Sequence, residues 1–167
     1  MESPTLPIDG QFVLDGWKLE DASAHREFAE DAEAARFLGW TVEDARALPD
    51  SHYVGVVERF QAEWDDGSRF SLAIRDRASG RAVGAVELRP CDDAMEVSYV
   101  VAPALRRRGL ASRAVAAVLS WARRELNVGV VLLNCHPDNL ASQKVAEKCG
   151  FREVGSDTSE MRFAREL

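Results

Sequence analysis

Apolar positions along the chain follow two periods. In the first half they recur at helical spacing. Ala24, Phe28, Ala32 and Ala35 predict a helix from Asp21 to Phe37, with Asp21 as its cap. Thr41-Val42-Glu43-Asp44 has the form of a capping box, so a short second helix is expected to stop at Pro49. Val54, Val57, Phe60 and Trp64 make one stripe of a third helix, Ser51 to Trp64. A short strand, Phe12 to Leu19, precedes these helices. After the turn Asp65-Asp66-Gly67-Ser68 the period changes to that of strands: Phe70 to Arg75, Ala82 to Leu88 and Met95 to Val101, with Ser79-Gly80 in the first connection. Leu110, Ala114, Val118, Ala122 and Leu126 then step by four and predict an amphipathic helix from Gly109 to Leu126. Val128 to Asn134 reads as a strand too apolar to be half exposed. Asn139 to Cys149 is a further helix, capped by Asp138 or Asn139 and stopped by Gly150. The segment from Phe151 to Phe163 adds one or two weak strands. Helices, then a meander of strands, then strand-helix-strand-helix give a mixed α/β (α+β) fold.

Composition narrows the class. The 167 residues are 46% hydrophobic and 29% charged, the size and balance of one globular domain spanning 1–167. No repeat or linker divides the chain. The longest apolar run, near Val128 to Leu133, is too short to cross a bilayer, and no secretory signal is visible, so no membrane role is expected. Three cysteines, Cys91, Cys135 and Cys149, are widely spaced and odd in number. They form neither a disulfide framework nor a metal pair, which points to a reducing, cytoplasmic setting. His25 and His52 make no ligand pair, so no metal is expected. The formal net charge of -7 disfavours nucleic acid as a partner. It suits a cationic substrate, and equally it keeps a protein soluble.

The informative segment is the strand Met95 to Val101 with the loop that follows it, Arg106-Arg107-Arg108-Gly109-Leu110-Ala111, at the start of a long helix. A strand that enters a helix through a glycine-containing loop turns free N–H groups one way, and the helix dipole adds to their preference for an anion. Gly109 lets backbone approach a phosphate, and three arginines supply charge. Neither GxxxxGK[ST] nor GxGxxG is present, so the loop is neither a P-loop nor a dinucleotide fingerprint.

The pattern Arg106-x-x-Gly109-x-Ala111 between a strand and a helix resembles the acetyl-CoA motif of the GNAT superfamily of N-acetyltransferases. Asn139-Leu140-Ala141-Ser142 followed by Glu147-Lys148-Cys149-Gly150-Phe151 resembles the branch related to the ribosomal-protein acetyltransferases RimJ and RimL. Trp17 to Leu19, Arg36-Phe37-Leu38-Gly39-Trp40 and Val83-Gly84-Ala85-Val86-Glu87-Leu88 fit the same branch, so the resemblance runs through nearly the whole chain. It implies a mixed, mostly antiparallel sheet of six to seven strands, splayed at a cofactor cleft and flanked by helices. It also implies acetyl-CoA as cosubstrate, with its pyrophosphate on the amides of Arg107, Arg108, Gly109, Leu110, Ala111 and Ser112, and Arg106 opening the loop. The pantetheine arm would run along Tyr99, Val100 and Val101, with the N–H of Val100 or Val101 on the thioester carbonyl, and Asn139 would contact the arm. The acceptor implied is a primary amine, on a protein N-terminus or a small molecule, and homodimers are common in the family.

The same resemblance sets the catalytic candidates. A tyrosine that many members place seven residues after the asparagine is here Ala146. Ser142 is implied to contact the leaving sulfur instead, although a serine early in a helix also serves the helix start. Glu96 is the first candidate base. Strand alternation puts it on one face with Ser98 and Val100. Glu87 is the second candidate, and water the third. His136 is read as a surface residue, and Trp40, Tyr53 and Phe70 as packing residues that also border the acceptor side. The vacant tyrosine position keeps a non-catalytic acyl-CoA-binding or regulatory domain as the alternative.

Overall fold

The computed structural model describes residues 2–167. Among these, eight strands form one sheet. They are β1 (Leu6–Pro7), β2 (Phe12–Asp15), β3 (Phe70–Asp76), β4 (Ala82–Cys91), β5 (Ala94–Val101), β6 (Val130–Cys135), β7 (Arg152–Ser156) and β8 (Met161–Glu166). Their spatial order is β1-β2-β3-β4-β5-β6-β8-β7. Every neighbouring pair is antiparallel except β5 with β6. The helices are α1 (Ala22–Ala29), α2 (Ala32–Leu38), α3 (Val42–Ala47), α4 (Asp50–Asp66), α5 (Leu110–Glu125) and α6 (Leu140–Lys148). No helix among the described residues is long and apolar enough to cross a membrane.

The sheet separates two cores. On one face, Leu72, Ile74, Val86, Leu88, Val97 and Val131 pack against the α5 stripe Leu110, Ala114, Val115, Val118 and Ala122. On the other, α1 and α4 bring Phe28, Tyr53, Val57 and Phe60 onto Trp17, Ala73 and Ala82. β3 lies between the two and is buried along six of its seven residues. Its two buried polar members are satisfied. Ser71 accepts a hydrogen bond from Trp17 Nε1 at 2.9 Å. Arg75, 5% exposed, reaches Asp15 through Nε at 2.8 Å and Asp21 through Nη1 and Nη2 at 2.9 and 2.8 Å. A guanidinium is tolerated in such a place only with this degree of pairing.

Several boundaries differ from the sequence-based expectation. The sheet has eight strands rather than six to seven, the least visible being β1, only two residues long. The helix expected over Asp21 to Phe37 is two helices, because Asp31 takes extended backbone and caps α2 by accepting from Ala34 N at 2.9 Å. Asp21 does not cap α1. Its carboxylate is bound by Arg75 and by the Lys18 N–H. β2 ends at Asp15, where the chain enters a 3-10 turn at Leu19–Asp21. At the other end of the molecule Asn139, not Asp138, caps α6. Gly150 stops that helix in the left-handed region (φ 74), and Phe151 is buried behind it.

β4 and β5 are in register over eight residue pairs, from Cys91–Ala94 to Gly84–Val101. The far end of this ladder depends on Gly84, where a Cβ would lie 2.5 Å from the Val100 carbonyl oxygen and 2.9 Å from Ile74 Cδ1. Gly84→Ala is therefore expected to push β5 away from β4 and to cost about 1–3 kcal/mol, the range of overpacking. Thermal unfolding should show a melting point lower by several degrees, and an unchanged value would show that the strands yield without cost.

His25 supplies a second test. Burial beside Trp17, Tyr53 and Phe60, with the charges of Arg59 and His52 nearby, lowers its pKa from 6.5 to about 4. The unfolded chain binds this proton more readily, so the contribution is complete above pH 6.5 and is lost as the pH falls from 6.5 to 4. Its full size is about 3 kcal/mol. Urea titrations across this window should show wild type losing more stability than His25→Leu. Parallel curves would clear His25 of the effect.

Candidate active site

The site begins where β5 leaves β6. These strands share two register pairs, Met95–Val131 and Glu96–Leu132, and then diverge. Each is held from its other side, β5 by β4 and β6 by six register pairs with β8. The divergence opens a wedge whose near wall is the β5 edge from Val97 to Val101. Along an antiparallel ladder successive residues turn their backbone polar groups to opposite sides. Ala102 N donates to Val83 O at 2.9 Å, so Ala102 and Val100 face β4, while Tyr99 and Val101 face the wedge. The Val101 carbonyl, turned away from β4, accepts from Arg106 Nε at 3.0 Å. Of the two N–H groups expected on the thioester carbonyl, that of Val101 is thus the one that faces the wedge.

Beyond Val101 the chain makes a 3-10 turn, Pro103–Leu105, and enters α5 through residues 106–109. Arg107 and Gly109 both lie in the left-handed region, at φ 61 and 71. Alternating hands of this kind curl successive N–H groups toward one point. Among the described residues, the amides of residues 107–112 donate to no protein oxygen, whereas Arg106 N and Arg113 N on either side are bonded to Pro103 O and Gly109 O. The loop is therefore a concave run of six unpaired donors at the positive end of a 16-residue helix, which is the geometry of a phosphate seat.

The three arginines of the loop differ. Arg106 is turned back toward α2, where it pairs with Asp31 and, at 3.1 Å, with Glu33. Arg106 in turn holds the Asp31 carboxylate below the usual range, together with the Ala34 N–H and against the opposing effect of burial. The Arg106 side chain thus serves as a tie between α2 and the loop. Arg107 and Arg108 are exposed and make no ion pair among the described residues.

α6 forms the far wall. Asn139 caps it, accepting from Ser142 N at 3.1 Å. Ser142 faces the wedge, and the Tyr99 hydroxyl donates to its Oγ at 2.8 Å across the opening. Burial raises the Tyr99 phenol pKa well above its usual value. Ala146, one turn beyond Ser142, is fully buried. Cys135 at the end of β6 and Cys149 at the end of α6 lie on this side too. Burial raises both thiols, Cys135 also through the charge of Glu160, and Cys149 Sγ donates to Ser112 O at 3.3 Å.

Glu96 belongs to the opposite face of β5, as expected with Ser98 and Val100. It sits where β6 parts from β5, 3.3 Å from Arg89 Nη2, and accepts from Asn134 Nδ2 at 3.5 Å. Glu87 accepts from Ser98 Oγ at 2.9 Å and lies 3.8 Å from Arg69. Both carboxylates therefore stand on one partly open polar face of the sheet. Tyr53 and Phe70 are core residues, the former with its hydroxyl on Ala45 O at 2.7 Å. Trp40 is 38% exposed at the α2–α3 junction and donates from Nε1 to Ala29 O at 2.8 Å. His136 is exposed and its ring centroid lies 6.2 Å from that of Phe37. Arg36 and Asp138, 3.3 Å apart, tie α2 to the same β6–α6 connection. Sequence reasoning did not find the Asp31–Arg106–Glu33 tie, Glu160, or the contact of Tyr99 with Ser142. The first and last join residues 75 and 43 positions apart, and nothing local marks them.

The chain matches the acetyltransferase (GNAT) domain family over residues 11–152. Among curated proteins it is similar to the uncharacterized N-acetyltransferase YnaD of Bacillus subtilis (strain 168). The two are 24% identical over 150 residues, which cover 87% of this chain and 81% of that protein. Among solved structures it is similar to RimL, a ribosomal L7/L12 alpha-N-protein acetyltransferase in complex with coenzyme A, with a TM-score of 0.84, 15% identity and 98% of each chain covered. It is also similar to the microcin C7 self-immunity acetyltransferase MccE in complex with acetyl-CoA and AMP. There the TM-score is 0.81 and the identity 14%, over 96% of this chain and 94% of that one. These two likenesses are of fold.

The loop geometry gives a direct test. Gly109→Asp places a carboxylate beside the unpaired amides. Calorimetric titration should show affinity for CoA reduced by at least about tenfold, since one added like charge at close range outweighs 1.4 kcal/mol. Unchanged affinity would remove the phosphate seat from residues 107–112.

Proposed function

Because this chain belongs to the GNAT acetyltransferase family, we propose that it moves the acetyl group of acetyl-CoA directly onto a primary amine within a ternary complex. The observation that carries this reading is the pairing of the six unpaired loop amides, residues 107–112, with the open edge of β5. The first fits a pyrophosphate. The second fits an extended chain of amides such as the pantetheine arm, which can bond to Tyr99 and Val101 as a further strand would. Acetyl-CoA supplies an activated acyl carbonyl and a thiol leaving group. The Val101 N–H is directed to bind the carbonyl oxygen, where negative charge develops. The Asn139 side-chain amide, whose oxygen caps α6, has its nitrogen left for the arm. Ser142 gives a hydrogen bond to the departing sulfur.

On the opposite face, Glu96 takes the proton that the amine must lose, directly or through one water. Its carboxylate is held in place by Arg89, 3.3 Å away. Glu87 is the second carboxylate for this role, and an amine of low pKa can use water alone. The acceptor is a protein N-terminus or a small amine. The acceptor wall consists of α2, Trp40 and the polar face around Glu87 and Glu96, and it is open at its rim.

A second reading rests on Ala146, which leaves α6 without the phenol that many family members carry: the protein binds acyl-CoA without turning it over. One experiment separates the two. Acetyl-CoA is offered with a panel of polyamines, amino acids and serine-initiated peptides, and free thiol is followed. Acetyl transfer predicts turnover on one acceptor class. Glu96→Gln should then lower kcat/KM about 100-fold with CoA affinity kept. Tight CoA binding with no turnover on any member of the panel decides for the binding protein. Full activity of Glu96→Gln moves the base to Glu87 or water.

A further inference from the structure

Ser142 is held in an unusual way for a serine in the first turn of a helix. Such residues commonly return their proton to a backbone carbonyl one turn back. Ser142 Oγ instead accepts a hydrogen bond from Tyr99, 2.8 Å away, and donates to no protein acceptor among the described residues. A hydroxyl has one proton and two acceptor sites. With a phenol directed into its oxygen, its own O–H must point away from Tyr99. The Ser142 backbone is fixed separately by the Asn139 cap, so the side chain is constrained from both ends. Ala146 lies on the same helical face one turn on and brings no side chain that would compete for Oγ. Tyr99 stands on β5 with its backbone facing the wedge. Burial keeps its phenol protonated well beyond the pH range in which amines become neutral, so it remains a donor there.

A largely covered tyrosine seeks some partner for its hydroxyl, and a purely structural bond would satisfy that need. The choice of partner goes further, because the accepting oxygen belongs to the side chain that stands at the leaving sulfur. We propose that Tyr99 is a positioning residue, whose hydroxyl turns the Ser142 O–H toward the thioester sulfur and sharpens it as a donor. This rests on the acetyl-transfer reading given above. In the step concerned, the amine nitrogen bonds to the acyl carbon and the carbon–sulfur bond breaks with its electron pair left on sulfur. The thiolate is met by the Ser142 hydrogen bond and takes a proton from water, equal in number to the one the amine nitrogen gives up to Glu96 and thence to solvent, which gives amide and thiol. Tyr99 transfers no proton. It supplies from the strand side the phenol that α6 lacks at Ala146, one bond further from the sulfur.

The test is a double-mutant cycle on the full chain, with acetyl-CoA and the acceptor that the panel identifies. Tyr99→Phe removes one oxygen and keeps the ring in the core. It is expected to lower kcat about fivefold to tenfold, the worth of one hydrogen bond, with CoA affinity and melting temperature within error of wild type. Ser142→Ala should lower kcat by at least as much. Adding Tyr99→Phe to Ser142→Ala should then cost nothing further, because the phenol acts only through the serine. Multiplied losses in the double variant, or a Tyr99→Phe enzyme as fast as wild type while Ser142→Ala is slow, overturn the role of Tyr99 and leave acetyl transfer standing. A fully active Ser142→Ala overturns the proposal together with the serine assignment. Wild type that binds CoA and turns over no acceptor removes the reading beneath both.

Discussion

The separation of β5 from β6 after two register pairs is the constraint on which the site depends. A parallel pair that continued to Val101 would use the backbone groups of Tyr99 and Val101 for the sheet and close the space between Tyr99 and α6. The separation is stable because neither strand is left alone. β4 grips β5 along eight pairs, helped at the far end by the missing side chain of Gly84, and β8 grips β6 along six. α5 completes the arrangement. Its apolar stripe lies across the sheet, and its first turn delivers the amides of residues 107–112 to the mouth of the wedge. One strand thus organises the loop through its end, Tyr99 through one face and Glu96 through the other.

Charge is organised locally within this frame. The net value of -7 says little about the loop, where Arg107 and Arg108 stay free in solvent while Arg106 is consumed by Asp31 and Glu33. The same three residues join α2 to the loop before α5. Asp31 caps α2 and binds Arg106 with one carboxylate, so the start of α2 is tied to the loop that opens α5. Arg75 plays the comparable part in the core, where it holds Asp15 and Asp21 under α1 and fixes the entry of the chain into the helical half.

Much of this was legible in the sequence, for physical reasons that can be named. The α5 stripe, the β3–β5 meander, the Gly150 stop and the loop at Gly109 all follow from local period and local backbone chemistry. The resemblance of Arg106 to Ala111 and of Asn139 to Phe151 to one family supplied the ligand, which periodicity cannot. What failed was set by distant partners. Asp21 looks like a helix cap until Arg75 claims it, and the helix over 21–37 looks continuous until Asp31 breaks it. In the sequence the three arginines of the loop read alike, as added charge, yet the Arg106 side chain is turned toward α2. Tyr99 was expected to contribute backbone, and the destination of its hydroxyl depends on a helix 43 residues away.

Cys135 and Cys149 have a consequence for oxidation. Cys135 and Cys149 are free thiols on the α6 side of the wedge, and a disulfide that reached them from outside, such as an oxidised thiol cofactor, would exchange with either one to leave a mixed disulfide there and a released thiol. Exchange requires a thiolate as the attacking group. Burial holds both cysteines in the protonated form, and the charge of Glu160 adds to this at Cys135. Each unit by which a thiol pKa rises removes about nine-tenths of its thiolate at neutral pH. The packing that buries this wall of the wedge therefore also slows its capture by disulfides.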